Sequence, residues 1–365
     1  MGFWLLAAGV AALVVVTVLP ILKVGHWLVR AHDFPRLQYA GGAVLLLVVQ
    51  YFVLDWSRQE SWAMAAVTGS CLLYQAFWIF PYTQLHRKEA QWVMAQDADA
   101  VLRIMSVNVL MPNRNADALL RIIRQVRPDF LITAETDLWW QERLDTLQED
   151  FPHAIKCPLP NLYGMHVYSR FPLEDGAIQY LVEPGIPSIH CAIRMPCGRM
   201  VRMHCLHPKP PSPTENPGSE QRDAELIAVA GKISESVDKG PVIVAGDLND
   251  VAWSATTRLF RKISGLLDPR VGRGMFNTFH ASYPALRWPL DHLFHSDHFG
   301  VVGLERLPAF GLDHFPILIE LALVDGLESR QQGLKAEAGD QAWAREKVAE
   351  EEVSPDDVPT PGTGR

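Results

Sequence analysis

Six short stretches of this chain end an apolar run in a side chain of the kind that does chemistry. "SVNVL" carries Asn108, "LITAETD" delivers Glu135, and "MHCLHPKPP" delivers His207. "VAGDLND" presents Asp247 and Asn249, two residues apart and so on one face of a strand. "WPLDHLF" supplies Asp291 and His292, and "GLDHFPILIEL" supplies Asp313 and His314. Any one of these is explained by a turn, since Gly, Asp and Asn are ordinary turn residues. Alone, Asn108 reads as a strand-end amide and Glu135 as a carboxylate at a helix N-terminus. Six together, all carboxylate, amide or imidazole, point to a site. Oxygen donors such as Glu135, Asp247 and Asn249 suit a hard divalent cation that also recruits phosphate oxygens. Histidines beside carboxylates suit acid–base work, because the carboxylate fixes the tautomer and supports the imidazolium.

These residues must be held by regular elements. "LRIMSVNVL", "DFLITAE", "HVYSR", "IHCAIRM", "RMVRMHCLH" and "VIVAGD" read as strands rich in β-branched and apolar residues. Pro196-Cys197-Gly198 is a plausible hairpin turn between two of them. "NADALLRIIRQVRPD" places Leu119, Leu120, Ile123 and Val126 on one helical face. "GSEQRDAELIAVAGKISESV" and "SATTRLFRKIS" are also helical, the second with Ser254 as N-cap. "PLDHLFHS" and "FPILIELALV" close the unit. Strands joined as hairpins, with helices between them, predict a four-layer α/β sandwich: two packed mixed β-sheets flanked by helices. Its expected span is 101–326, after a connector at 83–100.

The first 82 residues differ. "FWLLAAGVAALVVVTVLPIL", "LQYAGGAVLLLVVQYFVL" and "WAMAAVTGSCLLYQAFWIF" are each apolar over about the length that spans a bilayer. Trp and Tyr lie near their ends, as in interfacial belts. A removable leader accounts for the first only, so 1–82 reads as three transmembrane helices anchoring the chain in a cell membrane. Lys23, Arg30 and Arg36 in the first loop, with Arg87 and Lys88 after the third span, put that loop and everything after Phe80 in the cytoplasm by charge count. The tail, 327–365, is charged and poor in aromatics, and is expected to be disordered. His190-Cys191 and His204-Cys205 sit in alternating apolar strands and read as core rather than metal ligands.

Taken in order, the motifs resemble the endonuclease/exonuclease/phosphatase (deoxyribonuclease I-like) superfamily from about Arg103 to Leu323. Asn108 and Glu135 match its amide and metal-binding glutamate, and "YSRFPL" its S-[KR]-x-P stretch. His207 matches the first active-site histidine, and Asp247 with Asn249 the G-D-x-N motif. Asp291 matches the aspartate behind the last histidine, and Asp313-His314 the terminal D-H pair. The resemblance implies a hydrolase using Mg²⁺, with Mn²⁺ as an alternative, held by Glu135 with Asn108 and Asp313 completing the metal's surroundings. His207, Asp247, Asn249, Asp291 and His314 are the implied catalytic set. No acidic residue follows Asn108 closely, where Val109, Leu110 and Met111 stand, so one cation is expected. Arg222 and His166 are further candidates for substrate contact, although Arg222 also reads as part of a solvated helix face and His166 as structural.

Three helices ahead of such a domain resemble the membrane-bound branch that includes teicoplanin-resistance-type phosphatases, in which the catalytic domain is thought to face outward. That opposes the charge count. The net charge of −8, with no Lys/Arg-rich stripe, lowers the nucleic-acid reading. The expectation is hydrolysis of a lipid-linked phosphate or diphosphate, with the "HPKPPSPTENP" loop shaping the pocket beyond the phosphate. A membrane-tethered nuclease and a catalytically dead binding module are the alternatives.

Overall fold

The computed structural model describes residues 2–236 and 240–362. Helices α1 (Gly2–Val18), α3 (Arg36–Val53) and α4 (Gln59–Ile79) are each part of a segment long and apolar enough to cross a membrane; the four-residue α2 (Trp27–Arg30) lies in the first loop. Small side chains let them pack: Ala43 meets Leu13 and Cys71. Their few polar groups satisfy each other, with Gln50 donating to Thr68 at 2.9 Å and Gln75 to Thr17 at 3.0 Å. Leu45, Phe52, Leu73 and Phe77 point outward, an apolar surface of the kind that marks a membrane or a protein interface.

Eleven strands follow among the described residues: β1 (Val101–Asn108), β2 (Phe130–Ala134), β3 (His153–Cys157), β4 (Met165–Ser169), β5 (Leu173–Gln179), β6 (Ser188–Arg194), β7 (Met200–Cys205), β8 (Val242–Asp247), β9 (Asp291–His295), β10 (Phe299–Arg306) and β11 (Ile317–Leu323). They form a six-stranded sheet, β10-β11-β1-β2-β4-β3, and a five-stranded sheet, β5-β6-β7-β8-β9. Both are mixed, because β1 runs parallel to β2 and β7 to β8 while their other pairs are antiparallel.

Side-chain alternation explains the layers. Leu102 and Ile104 of β1 and Ile243 and Ala245 of β8 point into one core between the sheets. Met105 and Val107 point the other way, onto α5 (Ala116–Val126) and α6 (Leu138–Leu144). Val242 and Val244 point onto α7 (Glu220–Glu235) and α8 (Ala255–Ser264). The result is the helix–sheet–sheet–helix sandwich. Cys191 and Cys205 lie in its centre, and His190 and His204 are buried together, Nδ1 to Nδ1 at 2.7 Å.

The tail departs from the expected disorder. Helix α9 (Ala338–Glu350) packs on α7, with Ala344, Val353 and Val358 buried in the same outer core. Polar contacts compensate for its thin apolar content: Lys347 reaches the buried Asp223 at 3.3 Å, Lys262 reaches Asp340 at 2.7 Å, and Lys23 sits over the Trp343 ring. Residues 363–365 lie outside the described residues.

The anchor is docked against the sandwich. Trp27 N donates to the Pro217 carbonyl, Trp253 Nε1 to the Asp33 carbonyl at 2.8 Å, and Tyr82 to the Ala252 carbonyl at 2.6 Å. The first loop is itself clamped by Asp33, which accepts from Arg30 at 3.1 Å and Arg36 at 2.8 Å.

Candidate active site

At one open end of the sandwich, inward-facing positions meet no further strand and carry polar residues. Asn108, the last residue of β1, shares the inward face of Ile104 and pairs in register with Ala134, one residue before Glu135. Asp247 ends β8 and pairs with Asp291 at the start of β9, so both carboxylates emerge on the same face as Ala245 and Leu293. His207 lies two residues beyond β7, and His314 three residues before β11. A single period-two pattern thus brings residues from both sheets to one place.

The backbone is tuned to do this. Gly246 has φ of +140°, and a Cβ there would lie 2.0 Å from the Leu206 carbonyl oxygen, so only glycine lets β8 pass the chain that carries His207. Leu110, Glu135 and Asn249 all hold positive φ, at 52°, 60° and 51°. Non-glycine residues in this region are strained and cluster at functional sites.

Asn108 Nδ2 donates to Glu135 at 2.7 Å and to Asp247 at 3.1 Å, joining the two sheets. His314 Nδ1 is 2.7 Å from Asp291, leaving Nε2 3.5 Å from Asp247. His207 Nε2 lies 3.9 Å from the same Asp247 oxygen. Asn249 N donates to Asp247 at 3.0 Å, and its side-chain amide donates to the Pro208 carbonyl at 2.9 Å. Asn108, His207, Asp247, Asp291 and His314 are all buried.

Burial alone would hold the His314 imidazole neutral, but the flanking Asp247 and Asp291 carboxylates outweigh it and push its pKa to about 10. Burial raises Asp247 to about 6 and Glu135 to about 7, the second helped by Asp313 and Asp247. Burial also lowers His207 to about 4, with cationic His314 adding to the effect. One end of the site therefore carries a fixed imidazolium beside a neutral imidazole. The other gathers carboxylates, with Asp313 and Asp247 each within electrostatic reach of Glu135.

That group fits a divalent cation. Its donors are hard oxygens, and Asp313 Oδ1 is buried without a hydrogen-bond partner. Asp247, Asp291 and His314 also bring one ligand atom each within 4.8 Å of one another. Both His314 nitrogens there already face carboxylates, which is the geometry of a proton relay.

The cleft over these groups is about 320 Å³ and is lined by Glu135, His207, Asp247, Asn249, Asp313 and His314. Tyr163 closes one side, bonded to Glu215, and Pro210 and Pro211 of the expected proline-rich loop form another. Sequence reasoning did not find Tyr163, Leu162, Phe279, Leu290 or Phe34, which also line the cleft. Phe34 comes from the loop before the second of the three apolar N-terminal helices, and no spacing or motif ties it to residues so distant in sequence. Clefts of about 410 and 500 Å³ lie where the tail crosses the domain, away from this cluster.

Two expected substrate contacts are corrected. Arg222 is 1% exposed and lies behind the cleft, bonded to Asp223 at 2.9 Å and to the Asn249 carbonyl at 2.8 Å. It belongs to a helix buried between the sheet and α8 and α9, where a cation persists only when paired. His166 is fully buried in β4, with Nδ1 engaged by the backbone of Met165 and Cys157. His292 lies one residue out of phase with Asp291 and faces Arg270 and the Asp250 carbonyl.

The family described as "Endonuclease/Exonuclease/phosphatase family" matches residues 105–314. The chain is 28% identical over 160 residues to the uncharacterized protein YbhP of Escherichia coli K12, covering 41% of this chain and 58% of that protein. The likeness to YbhP of Shigella flexneri has the same extent, so the chain spans a little over half the length of these curated relatives. Among solved structures, an endonuclease/exonuclease/phosphatase from Beutenbergia cavernae superposes with a TM-score of 0.50 at 20% identity, covering 61% of this chain and 72% of that one. The human Nocturnin catalytic domain with bound sulfate superposes with a TM-score of 0.50 at 17% identity, covering 62% and 95%. At such identities the superpositions speak for the fold.

Proposed function

Because the chain belongs to the endonuclease/exonuclease/phosphatase family, we propose that it is a metal-dependent hydrolase of phosphate esters or anhydrides, held at a membrane and acting on a lipid-linked phosphate or diphosphate. The observation that carries this reading is His314 fixed between Asp291 and Asp247 beside the Glu135–Asn108 pair, in a cleft partly walled by the membrane anchor.

Hydrolysis requires a water oxygen to attack phosphorus in line while the bond to the leaving oxygen breaks. Asp247, oriented by the amides of Asn108 and Asn249, accepts the proton of the attacking water. His314 Nε2–H, held cationic by Asp291, donates to a phosphoryl oxygen as charge develops there. His207 offers a second donor on the same side. Glu135 and Asp313 would hold the single cation, Mg²⁺ or Mn²⁺, with Asn108 orienting Glu135; it would supply charge neutralisation at the phosphate oxygens and the leaving oxygen.

The domain assignment is the anchor at 1–82, the connector at 83–100 and the catalytic unit at 101–326. The first loop and the catalytic unit lie at the same end of the three helices, which fits a topology with both on one face of the membrane. Among the described residues lining the cleft none is Lys or Arg, which disfavours a track for a nucleic-acid backbone. The test is metal-dependent phosphate release by detergent-purified protein from a polyprenyl diphosphate, compared with cleavage of plasmid and single-stranded DNA.

A further inference from the structure

The spans reach the catalytic unit at a specific residue. Phe34 lies two residues before α3 and the second candidate span begin at Arg36, and it lines the cleft that holds His314 and Asp247. It is held there by its neighbours. Asp33 is clamped by Arg30 and Arg36, and its carbonyl accepts from Trp253, so the backbone that carries Phe34 is held in place by a buried ion-pair cluster.

A line of rings runs from it to the catalytic imidazole. Phe34 packs edge-on against Trp288 at 5.6 Å, Trp288 stacks on Phe279 at 6.3 Å, and Phe279 lies 4.9 Å from the His314 ring. Leu162 and Leu290 add apolar surface to the same cleft. The loop that carries Trp288 is tied to the second span, where Gln38 donates to the Ala285 carbonyl at 2.7 Å, and it exposes Tyr283 and Leu286 there. Tyrosine and leucine beside the end of a span are what an interfacial loop carries.

We propose that Phe34 is a specificity-determining residue supplied by the anchor: backed by Trp288, and with Phe279 and Leu290, it grips the first carbons of an apolar chain whose phosphate lies against His314 and Asn249, so that substrate is drawn from the bilayer in which the anchor sits. This rests on the lipid-phosphate reading above.

The test uses the full chain in detergent micelles with two substrates that share one reacting group: a long polyprenyl diphosphate and the short, water-soluble methyl diphosphate, whose single carbon cannot reach the Phe34 wall. The readout is the ratio of kcat/KM, long over short. Wild type prefers the long chain, and Phe34→Ala lowers the ratio by about tenfold or more, mainly through KM for the long substrate, the scale expected for losing apolar contacts in a pocket. Phe34→Leu restores part of it. If Phe34→Ala does not fold, Phe34→Leu and Phe34→Trp carry the same readout. A ratio unchanged in all variants, or a wild type indifferent to chain length, overturns the inference while leaving phosphohydrolase activity in place. A wild type that cleaves DNA and neither diphosphate contradicts the proposed function itself, and this inference with it.

Discussion

His314 Nδ1 lies 2.7 Å from Asp291, and the carboxylate so fixes the ring that Nε2 faces Asp247 3.5 Å away. Asp291 is 1% exposed and is not itself among the lining residues of the cleft, so it acts on turnover by fixing the charge on the imidazole, with a smaller effect on its strand partner Asp247. Asp291→Asn keeps the shape but removes the charge that holds His314 protonated. It is expected to lower kcat by roughly 10²–10⁴-fold with KM little changed, the range for losing a positioned proton-transfer group. His314→Ala should lose at least as much. Steady-state kinetics on folded protein check both, and a change confined to KM would count against the relay.

Glu135 accepts from Asn108 at 2.7 Å while burial and neighbouring carboxylates raise its pKa. A bound divalent cation relieves that crowding. Chelation is therefore expected to abolish turnover, and added Mg²⁺ or Mn²⁺ to restore it. Glu135→Gln should raise the metal concentration needed for half-maximal activity by about tenfold or more. Calorimetric titration of metal into wild type and variant checks this without reference to turnover.

Arg222 is the buried hub between Asp223, Asp250 and the Asn249 carbonyl. Arg222→Met leaves two buried carboxylates short of a cation. It is expected to cost about 3–5 kcal/mol, the usual penalty for breaking a buried pair from one side. Denaturant unfolding measures it. Lys347→Met removes only the outer partner of Asp223 and should cost less.

Glu225 is 4% exposed, and burial lifts its carboxyl to about 8, above an ordinary 4.5. Its protonated form is favoured in the fold. The stability it contributes is thus full below pH 4.5 and lost as pH rises through about 8. Glu225→Gln removes that loss. The melting temperature of the variant minus that of wild type is expected to grow from pH 5 to pH 9, and a flat difference would contradict the assignment.

The sequence carried the site because each of its residues ends or precedes a strand, and strand parity alone sends Asp247 and Asp291 inward together. It carried the sheets less completely. β5 contains Glu174, Asp175 and Gly176, and β10 contains Gly300 and Gly303, so neither shows the apolar alternation that marks a strand. The tail misled because α9 is held by Lys347 and Lys262 as much as by Ala344 and Val353, and composition does not reveal buried ion pairs. Arg222 and His166 stayed open between substrate contact and another role, because residue type cannot decide it, whereas three-dimensional packing shows that both are walled in. Phe34 was illegible because its partner Trp288 is remote in sequence and joined to it by docking of two separate units.

The central claim is that this end of the sandwich hydrolyses the phosphate group of a membrane lipid. The most direct measurement is phosphate release from a polyprenyl diphosphate in micelles by wild type and by His314→Ala, each with Mg²⁺ or chelator, beside the same proteins on plasmid DNA. Release by wild type that requires metal and His314, with the plasmid left intact, is the predicted result. Nicked plasmid with untouched lipid would contradict it.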